Sequence, residues 1–123
     1  MKNEFIPYEE SLALKELGYI EKSVGWYRSK TLIMSEGVIY STLDDNHWYE
    51  CVLAPLYQQA FRWFREKYGL VGWVEGNEGK RVFMYCIESP IDSDDQLNFY
   101  PLRNHEEAEL ECLKELIEIV KSK

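Results

Sequence analysis

The chain is poor in several features that would announce a function. Its three cysteines in 123 residues are an odd number. They stand far apart at Cys51, Cys86 and Cys112, so no disulfide framework is expected and reduced thiols in a cytoplasm fit best. No apolar run approaches the roughly 18–20 residues of a membrane span. The opening MKNEFIPYEE has no apolar core of a signal peptide. Basic residues are outnumbered, 14 Lys plus Arg against 22 Asp plus Glu, for a formal charge of −8. That balance argues against duplex nucleic acid as a partner, because phosphates must be neutralised by Lys and Arg. Four prolines and seven glycines punctuate the chain without a linker, low-complexity tract or charged tail. A single domain spanning 1–123 is expected.

What is present is apolar and aromatic. Hydrophobic residues make up 46% and aromatics 15%, with nine Tyr, five Phe and four Trp, which rules out a disordered acidic tail. Pro7 and Gly18 bracket a first short helix. From Val24 to Leu53 the pattern is mostly that of strands, broken at Ser35-Glu36-Gly37 and Asp44-Asp45-Asn46. Pro55 to Tyr68 reads as an amphipathic helix stopped by Gly69, with Leu56, Tyr57, Ala60, Phe61, Trp63, Phe64 and Tyr68 on one side. Leu70–Glu75 and Lys80–Glu88 flank Gly76-Asn77-Glu78-Gly79 as a β-hairpin whose second strand is apolar on both faces and therefore central. Gln96–Tyr100 suits a short edge strand. The last helix runs from His105 to Lys121, with Asn104 and Glu107 at capping-box spacing. These elements predict an α+β fold, a mostly antiparallel sheet with the two long helices packed on one face and the short N-terminal helix at the edge.

The reactive side chains form no catalytic constellation in the sequence. His47 and Cys51 have no CxxC or HxxxH beside them. Asp92-Ser93-Asp94-Asp95 begins like a calcium loop, yet lacks the central Gly and has Arg103 where the closing Glu belongs. Gly-x-Ser-x-Gly is absent, and Cys86 and Cys112 fall on core faces, where a thiol is inert. No catalytic residue, metal ligand or cofactor is expected. Three sets of residues invite a binding role instead. Glu109 lies within the apolar arc of the last helix, so it is either paired at the core rim or facing a ligand in a polar pocket. Gln58, Arg62 and Arg65 share the polar side of the second helix, either as a solvated face or as a holder of a carboxylate or phosphate. Trp26, Tyr27, Trp48 and Tyr49 lie in the least regular segment and are expected to be partly exposed; Tyr and Trp dominate binding hot spots.

Three blocks carry a resemblance. Residues 5–18 (FIPYEESLALKELG), 54–68 (APLYQQAFRWFREKY) and 106–119 (EEAELECLKELIEI) resemble a family of small uncharacterised proteins of Bacteroides-group bacteria and their phages. The resemblance implies a cytoplasmic, phage- or prophage-derived accessory protein. It carries over no catalytic residues, and the segments between the blocks align to no pattern. The expected function is non-enzymatic binding of a protein partner or of a second copy. Binding of a small anionic, ring-containing ligand is the alternative, and an enzyme of unrecognised class ranks last.

Overall fold

Backbone chemistry at the helix ends accounts for where the helices stop. In the computed structural model, which describes residues 4–21, 25–28, 30–34, 51–77, 82–88, 97–98 and 104–122, α1 spans Tyr8–Glu16. Gly18 follows it at φ 98°. The Tyr19 amide donates to the Leu14 carbonyl at 2.9 Å and the Gly18 amide to the Lys15 carbonyl at 3.1 Å. This is a Schellman closure, which needs the left-handed residue that glycine supplies at least cost. Gly69, at φ 69°, ends α2 (Tyr57–Tyr68), its amide donating to the Arg65 carbonyl at 3.1 Å. The third helix, α3 (His105–Lys121), is capped at its start by Asn104, whose Oδ1 accepts from the Glu107 amide at 2.7 Å.

The chain divides into two compact units, Met1–Leu56 and Tyr57–Lys123. In the first, β1 (Gly25–Arg28) is flanked by β2 (Thr31–Met34) and β3 (Cys51–Leu53), both antiparallel to it. Arg28 of β1 pairs with Thr31 of β2, and Lys30 just before β2 is left-handed at φ 68°. The core gathers Phe5, Tyr27, Val52 and Ala54, against which Tyr8, Leu12, Leu32 and Leu56 pack. Phe5 bridges Leu56 in antiparallel fashion.

In the second unit β4 (Val71–Asn77), β5 (Val82–Glu88) and β6 (Leu97–Asn98) form an antiparallel sheet in that order. Helices α2 and α3 both pack against β4, and α3 also against β5. The core of this unit is drawn from Phe64, Leu113, Leu116, Cys112 and Ile87, each almost fully buried.

The fold is α+β, as expected, with the strands in two antiparallel sheets and both long helices on the second. The short helix α1 packs against β3 of the first sheet. Two boundaries differ from the sequence pattern. Pro55 and Leu56 precede α2 as non-helical residues, because the Pro55 carbonyl accepts from the Ile6 amide at 2.9 Å and Leu56 bridges Phe5. Gly76 and Asn77, read as turn residues, continue β4 to pair with Phe83 and Val82. The Phe83 ring covers Gly76 so closely that a Cβ there would lie 2.7 Å from it. A glycine within a strand often marks such an approach.

Candidate functional site

Helix α2 places its side chains by their spacing. Tyr57, Ala60, Trp63 and Phe64 are buried, and Gln58, Arg62 and Arg65 are exposed on the opposite side. The structure therefore brings the three polar residues into one row. On the other side of the helix from the row stands a group of packed rings. Trp63 meets Phe64 edge-on at 5.1 Å and Tyr68 edge-on at 5.5 Å between centroids. Lys67 leaves the helix away from the row and lies with Nζ 5.0 Å from the Trp63 ring centroid and 5.6 Å from that of Tyr68. Sequence reading missed this cation–π contact. Its signal was the i,i+4 spacing of Trp63 and Lys67, since residues four apart are neighbours on a helix.

Glu109 sits one turn into α3. Its Oε1 lies 3.2 Å from His105 Nδ1, and its side chain is 16% exposed against 53% for His105. The His105 ring in turn stands edge-on to Phe83, 6.1 Å between centroids. The carboxylate at the core rim thus has a neighbour on its own helix, four residues back.

The aromatic set separates. Tyr27 is only 8% exposed, which corrects the expectation that it is partly open to solvent. Its hydroxyl donates to the Ile6 carbonyl at 2.8 Å across 21 residues of sequence, and its ring meets Tyr8 edge-on at 5.5 Å. Burial, and after it the Glu10 carboxylate, raise its pKa above the ordinary 10.0. Trp26, its neighbour on the other face of β1, is half-buried. Trp48 and Tyr49 lie outside the described residues, as do His47 and the Asp92–Asp95 loop. The α2 row and Glu109 belong to the second unit, and the β1 aromatics to the first.

Cys86 and Cys112 are buried free thiols. Burial, first, and then Cys86, Glu109 and Glu115 push the Cys112 thiol up to about 12. Burial and then Glu75 raise that of Cys86. A Cβ at Gly72 would meet Cys112 Sγ at 3.0 Å, so Cys112 lies against the sheet face that Gly72 and its partner Ile87 share. Cys86, adjacent to Ile87, points to the other face by strand alternation. The two thiols are on opposite sides of β5. Among the described residues no group of three or more His, Cys, Asp or Glu could hold a metal ion, and no helix is long and apolar enough to cross a membrane.

Compared with known proteins, the chain matches no family model, no curated protein and no solved structure.

Proposed function

We propose that this is a non-enzymatic accessory protein of phage or prophage type that works by binding another protein, and that the outer row of α2 is a contact surface for an acidic partner. One observation supports this reading most. On a protein of net charge −8, Gln58, Arg62 and Arg65 stand exposed together on α2. Arginine is enriched at protein interfaces, where its planar fork recognises carboxylates with two hydrogen bonds. The packed Trp63, Phe64 and Tyr68 rings anchor the other side of the helix, so binding has to order the arginine side chains and not the helix backbone.

Capture from host lysate with the wild-type chain and with an Arg62→Glu/Arg65→Glu variant tests the proposal. Both positions are on the exposed side, so circular dichroism of the variant should match the wild type. A partner retained by the wild type and lost with the reversed charges is the expected result. A partner held equally by both removes the row from the proposal. A thermal-shift screen with nucleotides and anionic metabolites run beside it tests the small-ligand alternative, because a ligand bound only to the folded state raises Tm.

A further inference from the structure

The side of α2 opposite the arginine row carries a feature of a different kind. The Trp63 and Tyr68 ring planes stand at 79° with their centroids 5.5 Å apart, so the two rings form the walls of a corner. The Lys67 ammonium is held there, 5.0 Å from the Trp63 centroid and 5.6 Å from that of Tyr68. An aromatic face is the negative pole of the ring, and a cation within about 6 Å of the centroid is attracted to it. Phe64 packs on both walls, 5.1 Å from Trp63 and 6.0 Å from Tyr68 between centroids. The corner is therefore braced by a ring that takes no part in holding the cation. Lys67 is exposed, so the corner opens to solvent on the side from which its ammonium enters. With that side chain in place, Trp63 is only 7% exposed.

We propose that the Trp63–Tyr68 corner is a binding site for a quaternary ammonium group, and that Lys67 occupies it until such a ligand displaces it. The chemistry of the two cations separates them. A lysine ammonium is compact and strongly hydrated, and its three N–H donors find no acceptor oxygen in aromatic walls. A trimethylammonium group has no N–H to satisfy, so it gives up less on leaving water, and its methyls gain dispersion contact with both rings. Aromatic walls recognise choline and methylated lysine in this way. The net charge of −8 favours the approach of a cation over that of an anion. Exchange needs only rotation of the Lys67 side chain out to solvent, and the rings keep a positive partner throughout. The corner and the row of Arg62 and Arg65 lie on opposite sides of α2, so this site does not depend on what the row binds.

Titration of the full chain with choline, and in parallel with trimethyllysine, tests this when the indole N–H signals are followed by NMR. The two probes separate a free choline-type ligand from a modified lysine. Expected is a saturable shift of the Trp63 signal with at least one of them. Lys67→Ala should bind that probe about two- to five-fold more tightly, the factor by which an exposed cation–π contact holds its place. Because Lys67→Ala removes a charge as well as the occupant, Lys114→Ala, which removes the same charge from an exposed position of α3, is titrated beside it and should bind as the wild type does. The neutral analogue of choline, with a tert-butyl group in place of trimethylammonium, should leave the Trp63 signal unmoved. A saturable shift that tightens in Lys67→Ala supports the proposal. A Trp63 signal that neither probe moves in wild type or in Lys67→Ala overturns it. So does an equal response to the neutral analogue, and so does a Lys67→Ala chain that binds no more tightly than Lys114→Ala.

Discussion

The two units of the chain hold themselves together in different ways. Residues 57–122 contain two amphipathic helices and two paired seven-residue strands, and their buried side chains include the large apolar Phe64, Leu113 and Leu116. Among the described residues of 4–56, the strands Gly25–Arg28, Thr31–Met34 and Cys51–Leu53 stand beside a nine-residue helix. Beside the apolar cluster of Phe5, Tyr27, Val52 and Ala54, individual polar contacts tie the described elements together. The peptide groups of Ile6 are a meeting point: its amide donates to Pro55 at 2.9 Å, and its carbonyl accepts from Tyr27 at 2.8 Å and from Ser11 Oγ at a long 3.4 Å. Small elements can be ordered by a few well-placed polar ties between residues far apart in sequence, whereas long ones are ordered by area.

The most severe test of that contrast is Phe64→Ala. Phe64 is 0% exposed and in contact with the Trp63 and Tyr68 rings, so truncation loses transfer energy and leaves a cavity among packed rings. The expected cost is about 3–5 kcal/mol, read from the urea midpoint at constant slope. A loss of under about 1 kcal/mol would mean that the apolar interior of this unit collapses freely onto the gap, and the area-based account of 57–122 would fail.

Tyr27→Phe probes the other unit by removing one oxygen. The ring stays, while the buried Ile6 carbonyl loses its 2.8 Å donor and keeps the long contact from Ser11. A cost of about 1–2 kcal/mol is expected at neutral pH. The pH dependence separates the hydroxyl from the ring. Folding raises the Tyr27 pKa above 10.0, so its contribution is fully present below that value. As pH rises through about 10 towards the folded value, the unfolded chain ionises there first and stability falls. The variant should lack this tyrosine's share of the alkaline loss. Equal pH profiles for the two proteins would show that the Tyr27 hydroxyl is not buried in the folded chain, since burial is the main cause of its raised pKa.

The same contrast governs what could be read in the amino-acid order. Helix α3 was legible to the residue, from His105 to Lys121, because a 17-residue helix repeats its apolar spacing several times and Asn104 marks its start. The exposed row of Gln58, Arg62 and Arg65 was legible for the same reason. Tyr27 was not. In a four-residue strand, alternation passes through too few cycles to show which face is covered, and its partner Ile6 lies 21 residues away with no pattern linking the two. The extent of β4 was misread through Gly76, a turn former by composition that here makes room for the Phe83 ring. Local pattern identifies elements; it does not record which distant group a side chain will meet.

The smallest expected effect sharpens the comparison at the helix starts. In the first unit α1 begins at Pro7 with no hydrogen bond from a capping side chain. In the second, Asn104 Oδ1 accepts from the Glu107 amide at 2.7 Å, a polar tie comparable in length to that from Tyr27 to Ile6. Asn104→Ala removes it and leaves that amide to water, since the position is exposed. Loss of an N-cap costs about 1 kcal/mol, less than Tyr27→Phe is expected to cost at its upper end, because solvent replaces the lost acceptor here and cannot at Ile6. Restoring an acceptor with Asn104→Asp should recover the stability, and the added negative charge at the helix start favours it further. If Asn104→Ala instead costs as much as Phe64→Ala, α3 depends on its first turn more than on its apolar face, and the division between the two units would have to be redrawn along helix starts.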